Sequence, residues 1–526
     1  MPEVAPESVQ SRFDRLDSKR HQVLHRARES AALTLPALLP PEGHDESQPL
    51  PTPHQGLGAR GVNNLASKML IALLPPNEPF FKFEPDPDVI SEMLEADKNA
   101  RAEVQRRLSR IEQTVLTGIE GSGDRANVFE LLRHLITVGN VMVHMPAEGG
   151  MRLFRLDQYV CRRDRMGNVL EAIAKEVVDP VVLDDETIDA TGVDLSGDGN
   201  KEVPLYTVIT RRKDDWRVVQ VINDVEVPDS EATYPIDKPA HLVLRWTAAP
   251  GEDYGRGLVE EHLGDLRPLE GMSKSLLNFA GVAGKMVFLT NPNGVTDVKV
   301  LNKAQSGDFV PGREQDITTL GLEKTPDFQI VKRVMDDISQ RLHQAFLLNA
   351  SIQRDAERVT ATEIQMMARE LEDALGGVYS VLSQEFQLPY IRRRVIQLEK
   401  QGKIPELPED VVNLRITTGL DALGRGHDLQ KLTSWIEAVT QLPPEVVKSR
   451  VNWTVYLERL SAAMGIDTQD LLKGEEGAKQ EENQAQAQNT AQGIAEKAGP
   501  EVVQQAIQSG AIPNPGTSGA SAPGEQ

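Results

Sequence analysis

Most of the reactive residues in this chain sit in patterns that stop short of a site. Asp194-Leu195-Ser196-Gly197-Asp198-Gly199-Asn200 begins like a calcium loop. Its twelfth position is Leu205, where a bidentate glutamate is required, so the run reads as a turn between strands. Gly281-Val282-Ala283-Gly284-Lys285 lacks the spacing of a phosphate-binding loop, so any ATP-driven step belongs to a partner. The 10 histidines never pair at metal-ligand spacing with a third donor; His134 and His144 read as core or strand residues. No Gly-x-Ser-x-Gly elbow supports a nucleophilic serine. Asp336-Asp337, Glu370 and Glu372-Asp373 read as solvated helix faces, against the competing reading of a metal-dependent nuclease or hydrolase. No cofactor or metal is implied. What remains is a pair of arginines, Arg354 and Arg358, which either balance Asp355 and Glu357 or work as a pair. Arg392-Arg393-Arg394 reads as a solvated or intersubunit face.

The arginine pair is framed by two helical patterns. Val331, Val334, Ile338, Leu342 and Phe346 recur at steps of three and four, the spacing of one apolar helix face. The pattern breaks after Leu348, and Asn349 to Val359 is a polar loop. Thr360 and Glu363 then form a capping box. Ile364, Met367, Leu371, Leu375, Val378, Leu382 and Phe386 carry the second stripe, and Pro389 inside it predicts a kink. A helix that long predicts a spine for a large assembly.

Upstream, Ser8 to Leu35 reads as an amphipathic helix and Gly61 to Leu74 as a buried one behind a flexible Gly56–Arg60. Pro75 to Pro87 reads as a loop, and 97–120 and 128–137 as helices. From Asn140 the period changes to two. Val141–Met145, Arg152–Leu156, Val169–Val178, Leu205–Thr210, Trp216–Ile222 and Leu242–Trp246 are strand-like, making 140–250 mostly β. Leu258 to Ala283 returns to helix. Residues 286–330 are mixed, with turns at Asn291-Pro292-Asn293-Gly294 and Ser306-Gly307-Asp308, and Val411–Thr417 reads as a strand. Helices follow at 428–439 and 446–464. Residues 475–526 are rich in Gln, Ala, Glu and Gly, a composition too poor in large apolar side chains to order alone.

The 526 residues are enough for several domains. With 57 Lys and Arg against 79 Asp and Glu, the formal charge is -22, which opposes nonspecific gripping of nucleic acid but not sliding past it. The single cysteine, Cys161, excludes an intrachain disulfide. No signal-like start and no membrane-spanning apolar run is present, so the chain is expected to be soluble and made in the cytoplasm.

Four stretches in order resemble the head-to-tail connector (portal) proteins of T7-like podoviruses: Gly58-Ala59-Arg60-Gly61-Val62-Asn63-Asn64-Leu65-Ala66-Ser67-Lys68; Tyr254-Gly255-Arg256-Gly257 with Leu263-Gly264-Asp265-Leu266-Arg267; Lys303-Ala304-Gln305-Ser306-Gly307-Asp308-Phe309-Val310; and Glu357-Arg358-Val359-Thr360-Ala361 running on to Val378-Tyr379 and Pro389. The resemblance spans about residues 10 to 470.

It implies an α+β portal fold with long stem and wing helices, a β-rich wing region and a small α/β clip. The implied division is wing 1–257, first stem helix 258–283, clip 284–330, second stem helix 331–348, tunnel loop 349–359, kinked long helix and wing return 360–427, crown helices 428–474 and tail 475–526. It implies a noncatalytic ring, usually of twelve copies, at one capsid vertex of the virion, assembled in the host cytoplasm. Double-stranded DNA would pass through it during packaging and ejection. Ser351, Gln353, Arg354, Asp355, Glu357 and Arg358 would face that DNA, the arginines touching phosphates without reading sequence. Lys299, Lys303, Asp308 and Arg313 in the clip would meet the terminase large subunit and then a tail adaptor protein. Major capsid, scaffolding and internal core proteins are the other implied partners, with no membrane. The family often has glycine where Ala356 stands. The alternative from another class is a noncatalytic minor capsid or tail scaffold without DNA passage.

Overall fold

The computed structural model describes residues 7–45, 47–76, 80–85, 100–193, 202–283, 288–319, 325–348, 370–371, 374–407, 412–416, 432–441 and five positions between 451 and 460. The chain divides after Ala422 into two compact units.

The first unit is built on helix Leu57–Leu73. Val62, Leu65, Ala66, Met69 and Leu73 recur at three and four residues and are all buried. Burying each such side chain contributes about 1.5–3 kcal/mol, before the cost of ordering the chain. Around it pack Ala100–Glu120, Asp124–Val138 and Leu388–Lys400, which share its core. The segment Gly56–Arg60, expected to be flexible, instead opens this helix, with Gly56 at the N-cap. The amphipathic N-terminus is two helices, Val9–Lys19 and His21–Ala32, broken at Arg20. Arg20 is 1% exposed and its guanidinium donates to the carbonyls of Leu156 and Tyr159.

The β region follows the alternation expected, with additions. Tyr159–Arg163, Val169–Val178, Val203–Arg211, Asp215–Ile222 and Val225–Glu226 form an antiparallel sheet in that order, and Ala232–Pro235 pairs with Asp215–Ile222. Both faces are covered. Ala172, Ala174, Ile209, Trp216 and Val218 point into one core, while Ile173, Tyr206, Val208, Val219 and Val221 point into another that holds Phe13 and Leu16 of the first helix. A second sheet orders His241–Arg245, Asn140–His144 and Arg152–Phe154.

One joint explains a motif read only as a resemblance. Gly139 ends helix Asp124–Val138 at φ 82°, the left-handed region that favours glycine. A Cβ there would lie 2.4 Å from the Gly257 nitrogen. Asn140 Nδ2 donates to the Gly255 carbonyl at 2.8 Å, and the Gly255 amide donates back to Asn140 Oδ1 at 2.7 Å. Tyr254-Gly255-Arg256-Gly257 is therefore a close backbone crossing.

Four expectations need correction. Phe81–Pro85, assigned to a loop, is a strand paired antiparallel with Val412–Ile416. Arg393 and Arg394 are buried, not on a solvated or intersubunit face. Val334 is 43% exposed, so the apolar stripe of its helix is buried only from Ile338 onward. The expected single helix 258–283 is Leu258–Glu261 and Leu263–Ala283, interrupted at His262.

At Pro389 the helix continues. Ser383–Gln387 is a π-turn whose wider i→i+5 bonding, Leu388 N–H to the Ser383 carbonyl, precedes the proline. That register absorbs a residue with no N–H to donate.

In the second unit, helix spans residues 432–440, and Trp435, Trp453 and Tyr456 form a ring cluster with centroids 5.9 and 6.0 Å apart.

Candidate functional site

Two helices and the insertion between them carry the residues singled out above. Leu263–Ala283 packs on Thr325–Ala345. Arg341 near the end of the second pairs with Asp265 near the start of the first, at 2.5 Å, so the helices run in opposite directions. The Asp265 carboxylate raises the Arg341 pKa through that hydrogen bond. The second helix begins at Thr325, six residues before the stripe predicts; Thr325-Pro326-Asp327 is a helix-start signal read too late. The N-terminal segment clamps the first helix, where Glu29 pairs with Arg267 and the Glu270 carboxylate accepts from the amides of His54 and Gln55, and it also holds the short helix Leu258–Glu261 before it, where Arg26 pairs with Glu260 at 2.9 Å.

The insertion holds a short antiparallel pair, Phe288–Thr290 with Ile317–Thr319, and a four-residue helix, Val298–Leu301. Both predicted turns are present, closed by Gly294 N–H to the Asn291 carbonyl and Asp308 N–H to the Gln305 carbonyl. Asp316 is the organiser. It is 8% exposed, and its Oδ2 accepts from the amides of Val295 and Thr296 at 3.0 and 3.2 Å and from Thr296 Oγ1 at 2.9 Å. Lys299, Lys303, Asp308 and Arg313 all lie in this insertion and are exposed. So are Leu289, Val295, Val298, Val300, Leu301 and the wholly exposed Phe309. Sequence reading picked the charged side chains here and passed over the apolar ones.

The six loop residues Ser351, Gln353, Arg354, Asp355, Glu357 and Arg358 lie outside the described residues, as do Thr360, Glu363 and the calcium-like run at Asp194. The chain on either side is described. Helix Thr325–Ala345 ends in a Schellman-type closure, Leu348 N–H to the His343 carbonyl at 2.8 Å and Leu347 N–H to the Gln344 carbonyl at 3.1 Å. Leu347 sits at φ 50°, where glycine is usual; the left-handed conformation costs a residue with a Cβ about 1–2 kcal/mol. Packing holds it there. Asn64 Nδ2 donates to the carbonyls of Phe346 and Leu347, both at 3.0 Å. Phe346 lies against Gly61, where a Cβ would come within 2.6 Å of the ring. Beyond the loop, Glu370 meets Lys68 at 3.2 Å and Leu371 is buried in the same core.

Among the described residues, acidic pairs and histidines supply no competing site. Asp336 and Asp337 are exposed on their helix, Glu370 is used by Lys68, and Glu372-Asp373 lies outside the described residues. Among the described residues, no three His, Cys, Asp or Glu side chains are grouped to hold a metal. His134 is buried and His144 stacks on His241 with ring centroids 4.1 Å apart. Burial lowers His134 to about 4 and His144 to about 4. Cys161 is a buried free thiol raised to about 11 by desolvation. Among the described residues, no helix is long and apolar enough to cross a membrane.

The family model for the bacteriophage head to tail connecting protein matches residues 7–472. The chain belongs to that family. It is 39% identical over 477 residues to the portal protein of Enterobacteria phage T3, a match covering 89% of each chain. It is 37% identical over 485 residues to the portal protein of Escherichia phage T7, covering 91% of this chain and 90% of that one. The portal protein of Enterobacteria phage SP6 is 30% identical over 509 residues, covering 95% and 96%. A more distant likeness is to the neck of an empty GTA particle, at 12% identity and a TM-score of 0.37, covering 74% of this chain and 91% of that one. The role of a head-to-tail connecting protein is that of the viral portal, a structural part of the virion and not an enzyme.

Proposed function

We propose that identical copies, twelve in number, close into a ring whose channel admits double-stranded DNA during packaging and releases it at ejection. The observation that carries this reading is the family match across residues 7–472 at 37–39% identity to the T7 and T3 portal proteins. The excess of acid over base supports it: in a chain of net charge -22, an acidic channel wall would repel phosphate and let a duplex slide. The paired helices 263–283 and 325–345 would be the stem, the insertion between them the clip, and 349–359 the loop at the channel, and a bend near Pro389 would turn the following helix toward it. Arg354 and Arg358 would touch passing phosphates. Lys299, Lys303, Asp308 and Arg313 would face the terminase large subunit and later the tail adaptor. Capsid, scaffolding and internal core proteins would contact the rest.

Electron microscopy of the purified protein tests the ring directly, with twelvefold particles expected and a monomer at every salt concentration counting against it. Changing Arg354→Ala together with Arg358→Ala should leave the ring intact and reduce packaged or retained DNA. Normal infectious yield from that variant would remove the assignment of the loop.

A further inference from the structure

Helix Leu57–Leu73 does more than fill the core. The chain leaves the described residues at Leu348 and re-enters them at Glu370, and both ends are fastened to this one helix. Asn64 grips the outgoing end through two consecutive carbonyls, Phe346 and Leu347. Those carbonyls follow the last helical residue, Ala345, where the helix supplies no donor of its own. Lys68 grips the incoming end through Glu370 at 3.2 Å. Asn64 and Lys68 are four apart, on one face of the helix and about 6 Å apart along it. Lys68 is only 5% exposed, so its ammonium has been taken out of water to reach that carboxylate. Gly61, one turn earlier, leaves the space into which Phe346 seats.

We infer that Asn64 and Lys68 are positioning residues, and that helix Leu57–Leu73 is a rigid seat fixing the separation and direction of the two ends of 349–369. The inference rests on the proposed reading only in what the seat is for: a loop that meets passing DNA must leave the wall at a fixed angle in every copy. A purely structural role for the two side chains would affect stability without regard to which partner is lost. A positioning role is sensitive to pairing, and reversal of the charges should restore it.

The test uses the full chain. Asn64→Ala, Lys68→Glu, Glu370→Lys and the double variant Lys68→Glu with Glu370→Lys are compared for ring formation, for amide exchange at 340–348 and 370–376, and for infectious yield of phage carrying each. Asn64→Ala should raise exchange about tenfold at 346–348 alone. Lys68→Glu should do so at 370–376 and lower yield at least tenfold, and the double variant should recover both. Unchanged exchange at both ends, or a double variant no better than the singles, overturns the seat. If Lys68→Glu fails to assemble, a double variant that assembles supports the seat and one that does not counts against it. Raised exchange with full yield upholds the seat and removes the DNA-facing reading of the loop instead.

Discussion

In the body around helix Leu57–Leu73, long polar side chains are buried against carbonyls and carboxylates; in the insertion at 288–319, apolar side chains are exposed. Arg393, 1% exposed, donates to the Met145 carbonyl through Nε and Nη2 at 3.1 and 2.6 Å and lies over the Tyr234 ring. Arg394 reaches the Gly118 carbonyl and Gln397 Oε1, both at 2.7 Å, with Asp124 Oδ2 at 3.3 Å. The Tyr390 hydroxyl donates to that same oxygen at 2.8 Å. Among its described side chains the insertion shows no comparable core: two three-residue strands, a four-residue helix, one buried acid and a row of exposed Val, Leu and Phe. A chain that can bury arginines at such cost in one region has not exposed Phe309 in another for want of folding capacity. The described large side chains of the body are mostly buried, whereas the apolar row of the insertion faces solvent, an arrangement that commonly marks an interaction surface.

The comparison breaks first if the body tolerates loss of its buried charges. Arg394→Met leaves Asp124, itself 1% exposed, without its cation. Removing one member of a buried pair costs about 3–5 kcal/mol, and thermal unfolding should fall accordingly. Asp124→Asn with Arg394→Met should recover part of the loss. A change under about 0.5 kcal/mol in the single variant would mean that water already reaches this pair.

In the insertion the corresponding change is Asp316→Ala. It removes the acceptor of the Val295 and Thr296 amides, which water can partly replace because Val295 is exposed, so the loss is about 0.5–1.5 kcal/mol per hydrogen bond. Because the insertion is a small unit, the expected result is faster amide exchange at 291–319 with the main melting transition unmoved. A shift of the main transition would show that the two regions fold as one.

What the sequence made legible follows the same divide. Short β-branched apolar runs gave the strands at 169–178 and 216–222, whose two faces are both buried, and three- and four-residue spacing gave helix Leu57–Leu73. Phe81–Pro85 was missed because its five residues sit among prolines and its partner strand is 330 residues away. Arg393 and Arg394 were misread because hydropathy scores a guanidinium as exposed, while the carbonyls of Met145 and Gly118 that hold them come from distant segments. The end of helix Thr325–Ala345 was found from the loss of apolar spacing, but the left-handed Leu347 that ends it carries no glycine to announce it. The motif from Gly58 to Lys68 was read only as a family likeness; that Asn64 holds Phe346 and Leu347 while Lys68 holds Glu370 is information in three dimensions.

A pH titration sharpens the view that the body is complete. His144 and His241 are register partners in the second sheet, and their rings stack face to face. Burial lowers His144 to about 4, with Arg393 and Arg152 adding to it and Glu148 opposing, and lowers His241 well below the ordinary value, with His144 and Arg393 adding. Both are neutral in the fold, whereas in the unfolded chain both gain protons below about pH 6.5. Their contribution is complete above that pH and is lost as pH falls toward 4. Each adds a slope of about 1.4 kcal/mol per pH unit across that window. His241→Gln should flatten the acid limb of a stability–pH curve by one proton, while the exchange of 291–319 stays unchanged. An unaltered limb would mean that the pair is protonated in the native protein.

The smallest effect discriminates most. Phe309 touches so little of its own chain that Phe309→Ser should change stability by no more than about 0.5 kcal/mol. If the exposed row in the insertion serves a partner, this variant should melt and assemble as the parent does and yet lower infectious yield. Lys303→Ser, six residues earlier and also exposed, changes charge while removing little apolar area and separates the two contributions. Loss of yield with Phe309→Ser alone assigns the docking energy to the apolar row that sequence reading passed over. Loss with Lys303→Ser alone returns it to the charged residues. A Phe309→Ser protein that is measurably less stable would show that the ring packs within its own copy, and the contrast between the two regions would fail at its clearest point.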